Sequence, residues 1–324
     1  MDRAGEEPTG PTNQTEFNSS TTCEWDRTSA NPFFMVVLSL VFLVGLLLNG
    51  FIIKFYLCRA EQKASSSMMV YLKNLAAADF LLCLSLPIRI IQYASNSVTI
   101  RLLNCNFGVA ILYLNMYASI MFMGYIAANR YLKVVRHSGT HILQTLRAAY
   151  IVSTVTWVFL LTVMSAYVIL SFTQKPLTSV PVSCDYLLGG RFTVFFKIIH
   201  ACSTALFLFV LASLFFFYYS TSRRVSQAQQ RQPASSSSTK LARSRRNMLV
   251  LVSVFSFCFI PYHLVRLPKV FLGRHCSWDK ILFYMMELTI IMSVLNVCLD
   301  PLIYFILCKK FRTQFRLRGL CGNS

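Results

Sequence analysis

The 324-residue sequence predicts an all-α membrane protein, a bundle of seven transmembrane helices with a short amphipathic helix after the last span. Seven separate apolar stretches are each long enough to cross about 30 Å of hydrocarbon, which takes roughly 20 helical residues. The composition, 55% hydrophobic and 13% charged, is too poor in charge to coat a soluble fold. Backbone amides in lipid must be bonded internally, and runs of this length exceed the strands of a barrel, so helices are the expected form.

The spans are expected near 31–58, 66–94, 102–135, 146–170, 191–222, 244–272 and 278–307, giving one membrane domain over 31–307. Residues 1–30 are polar and acidic and lack the basic start and apolar core of a secretion signal, so the first span is expected to direct insertion. Lys and Arg set the orientation. They crowd the connections after the first, third and fifth spans and the C-terminal segment, as at Arg59, Lys133, Arg136, Arg223, Arg224, Arg245, Arg246, Lys309 and Lys310. The N-terminus is therefore expected outside and the C-terminus inside. On this reading the net charge of +19 is a topology signal, and nucleic acid is not an expected partner, because the cations edge spans and form no single patch.

Asn13-Gln14-Thr15 and Asn18-Ser19-Ser20 are sequons on the predicted outer side, so Asn13 and Asn18 are candidate glycosylation sites. Of 11 cysteines, Cys23, Cys105, Cys184 and Cys276 fall at the outer side, where disulfides persist. Four cysteines allow three pairings. Cys105 with Cys184 would tie the loop before the fifth span over the bundle mouth, and Cys23 with Cys276 would pin the N-terminal segment to the last outer loop; free thiols are the alternative.

Each span carries its own signature. Leu48-Asn49-Gly50 lies in the first, Leu75-Ala76-Ala77-Ala78-Asp79 in the second, and Asn129-Arg130-Tyr131 ends the third. Trp157 follows in the fourth, Cys258-Phe259-Ile260-Pro261 in the sixth, and Asn296 with Asp300-Pro301-Leu302-Ile303-Tyr304 in the seventh. On these motifs, in this order, the chain resembles the rhodopsin-like (class A) G-protein-coupled receptors over essentially its whole length. Stretches 113–120, 258–268 and 295–301 are similar to the purinergic branch of ADP and UDP-sugar receptors, with the lysophosphatidylserine and platelet-activating-factor receptors nearby. The fourth and fifth spans lack the family's common prolines after Trp157 and within 195–217, an absence from the fifth span that is familiar in the nucleotide and lysophospholipid receptors. A second outer disulfide is the habit of the purinergic groups, which favours the Cys23–Cys276 pair.

Polar groups inside apolar helices are costly in lipid, so Asp79, Asn49, Asn296 and Asp300 are expected to face the interior. In the resembling family this cluster holds a sodium ion; a hydrogen-bonded network without an ion is the other reading, and no further cofactor is expected. Pro261, Pro268 and Pro301 interrupt helical bonding and predict kinks. Phe259 stands where the family often has a Trp acting as a packing switch, with a core aromatic as the plainer alternative.

The resemblance makes Arg130 the contact for a heterotrimeric G protein, of the inhibitory class, with Tyr131 completing the triplet and Tyr219 and Tyr304 packing beside Arg130 in the active arrangement. Asn129 replaces the usual acid. An amide offers a neutral hydrogen bond, roughly half as strong as an ion-assisted one, so a looser resting lock is expected. Arrestin and receptor kinases are further partners that the family implies.

Ligand chemistry is expected from charge at the outer half of the bundle. Arg89, His263 and Arg266 lie there, and arginine forks suit phosphate or carboxylate. Glu287 is the alternative partner for these cations through an internal salt bridge. The nearest relatives place a Lys where this chain has Met286, which weakens a ligand of several phosphates. A nucleotide and a lysophospholipid both remain open, the latter with its acyl chain among Tyr113, Met116, Tyr117 or Phe196. Stripes of aromatic and Met residues are also what a plain core shows.

The cytoplasmic connection 223–246, basic and holding a serine run after Pro233, is expected to be a mobile loop. In 308–324, Phe311, Phe315 and Leu320 among basic neighbours predict an amphipathic helix on anionic membrane lipids, with Cys321 a candidate for lipidation. No Gly-rich phosphate loop, zinc-binding His-Glu-x-x-His or Gly-x-Ser-x-Gly elbow occurs, so an enzyme is not expected. A transporter is the competing class, disfavoured by the lack of an inverted repeat; a receptor fold that binds ligand without signalling is the third. The resemblance implies a multi-pass protein of the plasma membrane.

Overall fold

The computed structural model describes residues 31–57, 66–95, 97–135, 142–173, 184, 193–231, 236–271 and 276–307. Seven helical spans long and apolar enough to cross a membrane account for nearly all of them. The first four are Asn31–Leu57, Ser67–Ala94, Val98–Val135 and Leu146–Phe172. The fifth is Thr193–Arg231 and the sixth Ser236–Phe271, while the seventh runs as Cys276–Val294 and Asn296–Leu307. The sequons at Asn13 and Asn18, Cys23, Cys321 and the expected helix over 308–324 lie outside the described residues, as does the side chain of Cys276.

Burial gives each span its place. Two thirds of the third span's most apolar window is inside the bundle, against 17% for the fifth and 22% for the fourth, so the third is the hub and the other two face lipid. The hub packs on the second, fourth, fifth and sixth spans. Around it lies one long core cluster that includes Leu75, Phe122, Ile126, Phe255, Phe259 and Tyr304.

Gly45 lets the first and seventh spans approach closely, since a Cβ there would stand 2.6 Å from Val297 Cγ1. The same contact solves a problem created by Pro301. Proline has no N–H to give the carbonyl four residues back, at Val297. Asn49 supplies the missing donor, its Nδ2 bonding Val297 O at 2.9 Å.

The stretch 223–246 differs from expectation. Residues through Arg231 continue the fifth helix and the sixth begins at Ser236, so most of the expected loop is helical. The cause is local: Arg, Gln and Ala over 223–231 are strong helix formers, and no Gly or Pro interrupts them before Pro233.

Candidate functional site

At the N-terminal end of the third span the helix loosens into one π turn, Asn104–Gly108, with Asn104 folded over Gly108. Cys105 sits in that turn and is disulfide-bonded to Cys184, with a Cα separation of 5.2 Å. Tyr167 of the fourth span donates to Cys105 O at 3.1 Å, fixing the turn from a second side. The bond fastens the segment before the fifth span to the hub.

Below this strap lie two arginines in different company. Arg89 is buried on the second span and donates from Nη2 to Glu287 Oε2 of the seventh at 2.9 Å. Tyr93, one turn beyond Arg89, donates its hydroxyl to the same carboxylate oxygen. The internal salt bridge, the alternative to a ligand role for these residues, is thus formed. It joins the second and seventh spans.

Arg266 is also buried, yet its Nη2 lies 2.8 Å from Nε2 of His200 on the fifth span. Guanidinium nitrogens only donate, so His200 accepts on that nitrogen and is neutral in this contact. Tyr113 of the hub meets His200, Tyr167 and Tyr262 edge-on, with ring centroids 6.2 to 6.5 Å apart. Tyr117, one turn deeper, stands edge-on to His263 and beside Ser203. His263 bonds Phe259 O through Nδ1 at 2.8 Å and stacks on Phe207 at 3.8 Å; its Nε2 is buried without a hydrogen-bond partner.

The structure therefore brings Tyr113, Tyr117, His263 and Arg266 together, adding His200 and Tyr262. Met116 is fully inside the core cluster, and Phe196 packs with Cys105 and Tyr167 under the strap. His200 lies in a helix that also holds Lys197, Ser203 and Thr204, and the sequence does not say which of these faces the bundle; the fold shows that His200 meets Arg266.

Midway down, Asp79 accepts from Asn115 Nδ2 at 3.1 Å, and Asn296 Nδ2 donates to Ser119 Oγ at 3.0 Å. Asp300 lies against Asp79 and Asn296. All four of the expected residues, Asn49 included, have no exposed surface. Asn49 Oδ1, Asp79 Oδ2, Asn296 Oδ1 and both Asp300 oxygens receive no donor within hydrogen-bonding geometry. Two carboxylates this close repel, so the pair needs a shared proton or a cation. Among the described residues no three His, Cys, Asp or Glu side chains converge as metal ligands. The donor set of carboxylate, amide and hydroxyl oxygens fits a hard cation.

At the C-terminal end of the third span, Asn129 turns away from Arg130. Its Nδ2 donates to Ser67 Oγ at 2.6 Å, tying the hub to the start of the second span. Arg130 reaches the seventh span instead, where Nη2 donates to Leu307 O at 3.2 Å. Tyr131 stacks on Phe217 of the fifth span with a centroid distance of 4.8 Å. Tyr304 is buried in the core, whereas Tyr219 is 67% exposed on the outer surface of the bundle. The fifth-span tyrosine packed against the core is Tyr218, one residue and about 100° around the helix from Tyr219. Phe259 is fully buried against Phe255, just before Pro261 in the sixth span.

The sequence matches the family described as 7 transmembrane receptor (rhodopsin family) over residues 48–304. It is 32% identical to purinoceptor 14 of Bos taurus over 280 residues, covering 84% of this chain and 81% of that protein. It is likewise 32% identical to G-protein coupled receptor 87 of Mus musculus over 312 residues, covering 92% and 85%. Purinoceptor 13 of Rattus norvegicus is 28% identical over 301 residues, covering 91% and 87%.

Proposed function

The chain belongs to the rhodopsin family of seven-transmembrane receptors, in the branch of the purinoceptors and G-protein coupled receptor 87, and from that premise we propose that it signals the arrival of a small acidic ligand. The fold is a receptor fold and not an enzyme's. The ligand is of nucleotide or lysophospholipid type, and the purinoceptor names of the relatives favour the nucleotide. The protein sits in the plasma membrane with its N-terminus outside. The Cys105–Cys184 bond supports that placement, since disulfides persist on the oxidising side.

The observation that carries this reading is the convergence of Arg266, His200, Tyr113 and Tyr117 at the outer end, beneath the disulfide strap. A guanidinium fork beside phenol and imidazole donors is the chemistry that recognises phosphate or carboxylate. Aromatic faces at Tyr113 and Tyr262 suit a base or an acyl chain. Arg89 and Glu287 tie the second and seventh spans to each other. Met286, buried where a Lys would strengthen the site, fits a ligand with few phosphates.

The ligand shifts the receptor only by its differential affinity for two states. Engagement of His263 and Arg266, about one turn apart and just beyond Pro261, favours the state in which the sixth helix bends outward. That motion opens the inner mouth around Arg130 to a heterotrimeric G protein of the inhibitory class. Asp79, Asn49, Asn296 and Asp300 would hold a sodium ion, whose charge would offset that of the two buried carboxylates.

The test is a panel of nucleotides, nucleotide sugars and lysophospholipids applied to cells expressing the chain, read by nucleotide exchange on the G protein. One acidic class should activate the protein and fail on the Arg130→Ala variant. Activation that survives in Arg130→Ala, or by none of these classes, contradicts the reading.

A further inference from the structure

The fourth span meets the bundle along one narrow stripe. Its buried residues are Ala149, Ser153, Thr156, Leu160, Tyr167 and Ser171, at intervals of three, four and seven that keep to one face of a helix. The Ala, Ser and Thr side chains let the helix lie close to its neighbours. Tyr167 is the large member, 7% exposed and near the C-terminal end. A tyrosine near the end of a span ordinarily turns its hydroxyl to the headgroups. This one turns inward. A buried phenol needs an acceptor, which lipid does not offer, and Tyr167 donates to Cys105 O of the third span at 3.1 Å.

Three parts of the molecule meet on this side chain. Its hydroxyl grips the π turn Asn104–Gly108, which carries the disulfide to Cys184. Its ring meets Phe196 of the fifth span edge-on, with centroids 6.0 Å apart. The same ring meets Tyr113 of the hub at 6.5 Å and an interplanar angle of 87°. Helical side chains lean toward the N-terminus, so Tyr113 leans toward Cys105 and one tyrosine reaches both. Tyr113 in turn meets His200 and Tyr262, which puts Tyr167 one ring behind the group assigned to recognition.

A π turn holds one residue more than the α-helix it interrupts. Were it to relax, the residues before it would rotate by about 100° relative to Tyr113, the turn that one helical residue adds. The strap and Tyr113 would then lose their common register. Tyr167 touches both sides of that slip, Cys105 O in the turn and the Tyr113 ring beyond it, and fixes one against the other.

We infer that Tyr167 is a positioning residue for ligand recognition, acting through Tyr113: its ring sets the angle of the Tyr113 ring, and its hydroxyl holds the disulfide-bearing turn in register with it. The inference rests on the recognition reading given above and adds to it a residue outside the ligand contacts.

Full-length protein in nanodiscs, with meta-fluorotyrosine at position 113, tests the positioning without any ligand. Tyr167→Phe removes the hydroxyl and keeps the ring, and should broaden or split the parent's fluorine resonance; Tyr167→Leu should move it further. Tyr150→Phe, exposed on the same helix, should leave it in place. A resonance unmoved in either Tyr167 variant overturns the inference. ADP, UDP-glucose and lysophosphatidylserine, each applied alone to cells, then read recognition by nucleotide exchange on the G protein. For the probe that activates the parent, Tyr167→Phe should weaken potency about fivefold at an unchanged maximal response. In a Tyr113→Leu background the same substitution should weaken it no further. Additive shifts, or a lower thermal midpoint with unchanged potency, assign Tyr167 to structure alone and contradict the inference. A parent silent to all three probes contradicts the recognition reading, and the fluorine resonance then decides by itself whether Tyr167 holds Tyr113.

Discussion

Arg89 and Arg266 are the same residue at the same end of the bundle, both buried, and they meet different partners. Arg89 is closed by a carboxylate and a phenol that belong to the fold. Arg266 donates to an imidazole of the fifth span, among the rings of Tyr113 and Tyr262. A cation bonded to a carboxylate of the neighbouring helix is a fastening between helices; one beside His200 in the aromatic-lined group is the one we assign to recognition. The contrast separates scaffold from recognition within a single charged layer.

Breaking the fastening should have the largest effect on stability. Glu287→Gln leaves Arg89 buried without its counter-charge and is expected to cost about 3–5 kcal/mol, seen as a lower thermal midpoint and lost surface expression. Replacing both members by Met, as Arg89→Met with Glu287→Met, should recover most of that loss, because a buried pair is often dispensable once neither charge remains. A double variant no more stable than Glu287→Gln would show that the pair does more than fasten.

The seventh span's seam with the first is sharpened by Gly45→Ala. Its new methyl meets Val297 Cγ1, and overpacking of this kind costs about 1–3 kcal/mol. Thermal unfolding should fall while agonist potency stays within about threefold. A stability equal to the parent's would mean that the first and seventh spans part without cost.

On the recognition side, His200→Phe removes the acceptor that orients Arg266 while keeping an aromatic ring. Potency should drop roughly tenfold with little change in thermal midpoint, the reverse of the Glu287 pattern. The smallest effect is expected at the inner mouth. Asn129→Asp restores an ion-assisted bond there and should lower agonist-free nucleotide exchange roughly fivefold. Equal agonist-free exchange would mean that Asn129 serves only as the tie to Ser67.

Much of this is legible in the sequence, because length and hydropathy alone encode a span. Polar residues inside spans are also conspicuous, which is why Asp79, Asn49, Asn296 and Asp300 group together without any fold. Rotation about the helix axis is what the sequence hides. In a bilayer the lipid-facing side is as apolar as the core, so the periodicity that orients a soluble helix is lost. The run Phe215-Phe216-Phe217-Tyr218-Tyr219 shows the consequence: Tyr219 is expected inward, and Tyr218 is the residue that packs there. His200 is hidden for the same reason. The helical extension to Arg231 is masked differently, since charge and glutamine read as loop although their helix propensities are high.

The most direct test compares dose-response curves, corrected for surface number, of the parent chain, Arg266→Gln and the Arg89→Met, Glu287→Met pair, using whichever acidic ligand activates the parent. Loss of one charge-assisted bond costs about 1.5–3 kcal/mol, so Arg266→Gln should shift potency about 10- to 100-fold while the paired variant stays near the parent. An unchanged curve for Arg266→Gln, or an equal shift in the paired variant, would contradict the division between recognition and scaffold.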